Sequence, residues 1–312
     1  MKAAQITEYG GKDALKTVDD APKPSITADQ VLVEVHAAAV NPFDWKVREG
    51  YLKEMIPLNF PATLGGDVSG VIAEIGEDVS GFAVGDEVYG QANAVSGNGS
   101  YAEFTPVKAF SISAKPKSVD FVTAAALPLA SVSAYQALVD HIGLKEGQKI
   151  LIQGGAGGIG SLAIQIAKHL GAEVAATAAT DDVDFVKGLG ADTVIDYRVQ
   201  DFTELLKDYD AVFDTVGGDS YTKSYSVLKD GGIIVAMSAQ PNEELAKEHN
   251  ITAITQQTQV NPERLAKITE LVDDGILKVN VGKVFTLDEA AEALAYIQEG
   301  KHQGKVVLKV KD

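Results

Sequence analysis

Apolar and polar positions alternate over short stretches in the first third of the chain. Val31-Leu-Val-Glu-Val35 and Val68-Ser-Gly-Val-Ile-Ala-Glu-Ile75 are examples, and a period near two is that of strands with one buried face. Turn chemistry separates such runs: Pro22-Lys-Pro24, Gly65-Gly66, Gly76-Glu-Asp78, Gly85-Asp86 and Gly97-Asn-Gly99. Closely spaced strands of this kind over residues 1–120 predict a partly closed barrel.

Near Asp120 the pattern changes. Helical periodicity is expected over residues 121–127 and 131–139, interrupted at Pro128. Apolar strands at 149–153, 173–177, 193–195, 211–213, 233–235 and 251–255 then alternate with helices at 159–170, 182–189, 201–207, 219–228 and 241–248. That alternation predicts a doubly wound parallel sheet. A helix at 262–275, a strand at 279–285, a helix at 287–299 and a strand at 305–310 resemble the first block more than the middle one. The expected organisation is therefore an α/β chain in which residues 123–260 form a nucleotide-type domain inserted between 1–122 and 261–312.

The strand at 150–152 runs into Gly154-Gly-Ala-Gly-Gly-Ile-Gly160 and then into a helix with Leu162, Ile166 and Leu170 on one face. Gly155, Gly157 and Gly160 stand in the register G-x-G-x-x-G. The first glycine suits the strand-to-helix turn, the second lets backbone approach a pyrophosphate, and the third allows close helix–strand packing. The helix amino end, with its free N–H groups, favours phosphate. A second strand at 173–177 completes a βαβ unit, so a dinucleotide site is expected on Gly155, Ala156, Gly157, Gly158 and Ile159.

Composition narrows the partners. Among 312 residues, 27 basic side chains face 44 acidic ones, a formal charge of −17. Nucleic acid and anionic membranes attract basic surfaces, so neither is expected as a partner. With no cysteine, disulfides, thiolate catalysis and Cys-ligated zinc are excluded. No run of about 18 apolar residues suggests a membrane span, and the first residues lack a signal-peptide core; a cytoplasmic enzyme is expected.

The chain resembles the zinc-independent medium-chain dehydrogenases/reductases of the quinone oxidoreductase group. The resemblance rests on Ala39-Val-Asn-Pro-Phe-Asp-Trp-Lys46, Pro61-Ala-Thr-Leu-Gly-Gly-Asp-Val-Ser-Gly70, Gly81-Phe-Ala-Val-Gly-Asp-Glu-Val88 and Ala126-Leu-Pro-Leu-Ala130. The glycine loop, Gly190-Ala-Asp-Thr-Val-Ile-Asp-Tyr197, Phe213-Asp-Thr-Val-Gly217 and Gly304-Lys-Val-Val-Leu308 complete it. It implies a GroES-like barrel packed on a Rossmann domain, NADPH in the cleft between them, and a homo-oligomer, often a dimer that continues the nucleotide sheet. The stretch 251–255 is the candidate edge for that contact.

In zinc-dependent relatives a cysteine stands at the position of Asn41, and Gly-His-Glu at that of Gly65-Gly66-Asp67. An amide and a glycine cannot rebuild a tetrahedral Cys/His site. Chemistry without a Lewis acid suits hydride delivery to an acceptor that is already electrophilic, with the protein stabilising charge on the acceptor oxygen. Asn41 and Asp44 are the candidate catalytic residues, since the resemblance sets the asparagine beside the nicotinamide; ordinary Asn-Pro-x-Asp turn chemistry is the plainer alternative. Tyr51 and Tyr101 are candidate proton donors, with core-edge packing as the alternative for each and solvent as another proton source.

An NAD site places an acid about 20 residues beyond the glycines. Here Ala176-Thr-Ala-Ala-Thr180 leaves room for a 2′-phosphate, with Thr177 and Thr180 as candidate contacts. Tyr197 matches a tyrosine of that phosphate pocket in the family. Asp181 and Asp182 stand where relatives commonly carry a basic residue, and Arg198 or Lys305 are candidates to compensate them. The resemblance further implies cofactor contacts at Asn41, Leu129, Thr215, Val216, Gly217, Ser238, Gly304 and Lys305. The expected function is NADPH-dependent reduction of a quinone or of the conjugated double bond of an enone or enal. The alternatives are another zinc-free reductase of enoyl or alcohol type, or a weakly catalytic NADPH-binding protein with a regulatory or RNA-binding role.

Overall fold

Eleven residues, Gln30–Val40, form the strand on which the β-rich part of the molecule is hung. The computed structural model describes residues 1–300 and 302–311. Two compact units are present: residues 1–129, 260–274 and 279–312 form one, and 130–259 with 275–278 the other.

In the first unit, Gln30–Val40 pairs antiparallel with Asp67–Ile75, Phe104–Lys108 and Lys305–Lys309. Val31, Val33 and Val35 point into the main core together with Ile72 and Val88. A register shift between Val35 and Ala37 then changes the parity. Beyond it Ala38 and Val40 face that same core, while Ala37 and Ala39 turn to the other face, against Ala125, Ala126 and Val307. A bulge has this effect because side chains alternate with period two, so one extra residue exchanges the faces. The short helix Phe121–Ala125 lies on that second face, with Asp120 capping it through the Thr123 N–H at 2.8 Å. A separate three-stranded sheet, Leu15–Val18, Ala3–Ile6 and Ala62–Thr63, completes the unit's β structure. This is the part for which the resemblance implies a GroES-like barrel.

The second unit holds a six-stranded, all-parallel sheet. Its spatial order is Thr193–Asp196, Glu173–Ala178, Lys149–Gln153, Tyr209–Asp214, Leu228–Ala236 and Thr252–Thr255. Numbered along the chain that order is 3-2-1-4-5-6, the Rossmann arrangement, which opens a ligand crevice where the order reverses, beyond the carboxyl ends of strands 1 and 4. The helix Gly158–His169 buries Leu162, Ala163, Ile166 and Ala167, the face its periodicity predicts. Pro128 starts a helix, Pro128–Tyr135, where the sequence pattern suggests only an interruption. Proline suits the first helical turn because its missing N–H would have no partner there.

Candidate active site

The glycine loop leaves strand Lys149–Gln153 and enters the helix Gly158–His169. The sharp turn falls on Gly154, with φ of 77°, one residue before the glycine that the motif assigns to it. Gly155 instead packs closely: a Cβ there would lie 3.0 Å from Ala176 and 3.1 Å from Ile164. At Gly160 a Cβ would sit 2.2 Å from the Gly154 carbonyl oxygen, so the helix can approach the strand only with glycine. Gly157 is different. Its one neighbour would be Gly154 O at 3.4 Å, and no side chain caps the helix that follows it. The outer face of the loop thus offers space and backbone N–H donors, which is what a pyrophosphate requires. The residues fit a dinucleotide.

The remaining residues expected at the cofactor from this unit gather at the carboxyl ends of the same strands. Thr215, Val216 and Gly217 follow strand Tyr209–Asp214, and Ser238 follows Leu228–Ala236. Asp214, fully buried, shapes the first of these turns by accepting the Val216 N–H at 2.9 Å and the Gly217 N–H at 2.5 Å. Burial raises its pKa, and these N–H groups oppose the shift. Thr177 is buried, and its hydroxyl donates to Gln153 Oε1 at 2.7 Å while accepting the Gly154 N–H at 3.1 Å. It braces the glycine loop from below. Thr180 and Tyr197 are exposed, and beside them Arg198 Nη1 lies 3.5 Å from Asp181 Oδ2. Of the two basic residues considered as compensation for the acidic pair, Arg198 is the one found next to it.

In the first unit a buried polar cluster closes around Asn41. Val306 pairs with Val40, so the register carries Lys305 to the position across from Asn41. Asp67 pairs with Ala39 on the other side. Asn41 precedes the helix Pro42–Arg48 as its N-cap. Its backbone N–H donates to Asp44 Oδ2 at 2.8 Å, while its side-chain amide serves the neighbouring strands. Asn41 Nδ2 donates to Asp67 Oδ2 at 3.0 Å, and the Lys305 ammonium donates to Asn41 Oδ1. Lys305 Nζ also stands 3.6 Å from Asp67 Oδ2. Asp67 Oδ1 accepts the Leu129 N–H at 3.0 Å, and Tyr101 OH donates to Asp44 Oδ2 at 2.7 Å. Gly304, with φ of 64°, leaves no room for a side chain: a Cβ would meet Asn280 O at 2.2 Å.

All five polar side chains of this cluster are buried. Tyr101 enters the sequence reading only as a candidate proton donor, and Asp67 only as the counterpart of a metal-site residue; neither is marked there as a partner of Asn41 or Asp44. The signal for Asp67 is a carboxylate heading an apolar strand, since a buried charge needs a partner. Burial, opposed by the Tyr101 hydroxyl and the Asn41 N–H, raises the Asp44 carboxyl from an ordinary 3.8 to about 6. Burial also raises Asp67, against the pull of Lys305. Tyr101 is pushed well above its usual range by burial and by Asp44, so it is a donor to Asp44 at neutral pH.

The raised Asp44 pKa has a consequence for stability. A carboxyl that binds its proton more tightly when folded destabilises the native state on ionisation, with no cost below the unfolded pKa and the whole cost above the folded one. Asp44→Asn is therefore expected to flatten the loss of stability between about pH 4 and pH 7 and to gain up to roughly 3 kcal/mol at the upper end. Urea unfolding of both proteins across that range measures it; parallel curves would show that Asp44 does not titrate there.

A parallel Rossmann sheet with a glycine-rich phosphate loop, joined in one chain to a GroES-like unit carrying a buried polar cluster, defines a nucleotide-dependent dehydrogenase/reductase architecture. The family model "Alcohol dehydrogenase GroES-like domain" matches residues 27–117, and "Zinc-binding dehydrogenase" matches residues 189–308. The chain belongs to the medium-chain dehydrogenases/reductases, in their quinone oxidoreductase group. It is 39% identical over 318 residues to the 2-methylene-furan-3-one reductase of Solanum lycopersicum, covering 99% of this chain and 79% of that protein. Identity to the NADPH-dependent alkenal/one oxidoreductase of Arabidopsis thaliana is 38% over 318 residues, with the same coverage, 99% and 79%. The solved quinone oxidoreductase of Coxiella burnetii superposes with a TM-score of 0.94 at 37% identity, covering 100% of this chain and 99% of that one.

Proposed function

We propose that this protein is an NADPH-dependent reductase that delivers hydride to a quinone or to the conjugated double bond of an enone or enal, without zinc. The observation that carries this reading is the Asn41–Asp67–Lys305 cluster. At the positions where zinc-dependent relatives bind their metal, this chain has an amide and a carboxylate engaged by its own ammonium. A divalent ion at Asn41 Oδ1 and Asp67 would have to displace that ammonium, and Gly66 offers no imidazole. The names of the relatives, an alkenal/one oxidoreductase, a furanone reductase and quinone oxidoreductases, support the same acceptor class.

When bound, the dihydronicotinamide supplies the hydride. Gly155–Ile159 and the helix amino end would hold its pyrophosphate, the 215–217 turn and Ser238 would border it, and Thr180, Tyr197 and Arg198 would receive the 2′-phosphate. Asn41 donates an N–H toward the acceptor oxygen, where negative charge develops. The proton that completes the reduction of an enone comes from solvent, because the Tyr101 hydroxyl is engaged by Asp44.

Among the described residues no helix is long and apolar enough to cross a membrane. The reading includes a cytoplasmic location and a homodimer. Among the described residues strand Thr252–Thr255 pairs only with Leu228–Ala236, which leaves one edge of the parallel sheet for a second copy. The net charge of −17 counts against the RNA-binding alternative.

The test follows NADPH and NADH oxidation with a simple quinone and a simple enone, with and without a chelator. Chelator-insensitive turnover that prefers NADPH is expected. Arg198→Ala should narrow the preference by about tenfold, as loss of one charge-assisted hydrogen bond does. Inhibition by the chelator would sink the zinc-free reading, and tight NADPH binding with no turnover would favour the non-catalytic alternative.

A further inference from the structure

A carboxamide has one accepting end and one donating end, and a half-turn about its last bond exchanges them. At Asn41 the neighbours remove that freedom. The Lys305 ammonium can only donate, and it meets Oδ1. The Asp67 carboxylate accepts from Nδ2 at 3.0 Å. A flipped amide would set NH2 against ammonium and carbonyl against carboxylate, in surroundings where all three side chains are buried. The clamp is itself anchored: the Leu129 N–H holds the second Asp67 oxygen, and the tight turn at Gly304 delivers Lys305 to its place.

Of the two amide protons of Asn41, one is used by Asp67. The cation at the carbonyl draws electron density from the nitrogen, which offsets the density that the Asp67 carboxylate returns through the first N–H and keeps the second N–H a competent donor. We infer that Lys305 and Asp67 are positioning residues: they fix the Asn41 carboxamide in one orientation and leave its second N–H for the oxygen of the acceptor. Lys305 thereby acts through Asn41 and not by touching the cofactor. This rests on the reductase reading above. It assigns to Lys305 a different task from the cofactor contact that the family resemblance implies.

The experiment is a double-mutant cycle. Lys305→Met keeps most of the side-chain volume and removes the charge; it is expected to lower kcat by roughly 10²-fold, the usual penalty for a misplaced catalytic group. The Kd for NADPH, read by fluorescence titration, should stay within about threefold, and KM for the acceptor should change far less than kcat, since the N–H is proposed to act where charge develops in the transition state. In an Asn41→Ala background the same substitution should change kcat by no more than about twofold, because the group it positions is gone. A full second loss in that background, or a tenfold weaker Kd for NADPH, would overturn the inference and make Lys305 an independent contact. Because Lys305→Met leaves Asp67 without its cation, the variant Lys305→Met/Asp67→Asn removes that unpaired carboxylate as well and provides a second protein for the same measurements.

A readout without turnover accompanies these. In protein labelled with 15N at asparagine, the two side-chain N–H signals of Asn41 should be displaced from those of a free asparagine in the native protein and shift toward them in Lys305→Met. Unchanged signals would show that the clamp does not hold the amide. If the native protein reduces no acceptor, the reductase reading fails while the spectra still decide the clamp.

Discussion

Asn41→Ala is expected to lower kcat for both quinone and enone by about 10²- to 10³-fold, the range for removing one donor to a developing oxyanion. The Kd for NADPH should move far less than kcat, because the amide is proposed to act on charge that develops only in the transition state. Stability should fall at the same time. Asp67 would lose the Nδ2 donor at 3.0 Å and Lys305 its acceptor, though the two remain 3.6 Å apart and can close on each other. A loss of roughly 1–3 kcal/mol follows from a buried polar group left unsatisfied. Steady-state kinetics with urea unfolding on the same preparation separate the two effects. A variant that turns over like the native enzyme would remove Asn41 from the chemistry and leave it as a helix cap.

The second large effect concerns two glycines three positions apart. At Gly160 an added methyl would lie 2.2 Å from Gly154 O and 2.9 Å from its carbonyl carbon. Backbone cannot yield as a side chain can. Gly160→Ala should therefore cost about 3 kcal/mol or more, and NADPH binding should vanish with the loop. At Gly157 the backbone is extended, with φ −73° and ψ 170°, and a methyl meets one atom at 3.4 Å. Gly157→Ala should leave Tm nearly unchanged yet weaken NADPH by tenfold or more, since the methyl stands on the face reserved for phosphate. Thermal melts and NADPH titrations of the pair are the check. Native-like affinity in Gly157→Ala would place the pyrophosphate elsewhere.

Much of this architecture was legible in residue order because the relevant signals are local. The six strands of the parallel sheet and the helix after the glycine loop follow from apolar runs of the right length and period. The glycines announce the phosphate loop, although the backbone takes its turn at Gly154 and so moves each motif position's task by a small step. Thr177 illustrates a limit: its hydroxyl suits a phosphate contact in sequence, but Gln153 and Gly154 already engage it. The Asn41 cluster was legible only in part. Asn41 and Asp44 lie in one motif, whereas Asp67 and Lys305 reach them through strand pairing, and pairing depends on register. That register includes a bulge after Val35 that no local pattern reveals. Side chains 26 and 264 residues away in sequence therefore meet Asn41 for reasons written in the sheet as a whole.

The pairing of Lys305–Lys309 with the end of Gln30–Val40 also sets an order of events during synthesis. Among the described residues Lys305 is the one ammonium that meets Asn41 and Asp67, and a nascent chain lacks it until residue 305 clears the ribosome. Until then, burying these groups would confine carboxylates in a low-dielectric interior without their counter-charge, so the early strands gain little by closing over them. Lys305 is thus both the proposed clamp on Asn41 and the counter-charge that completes the buried cluster.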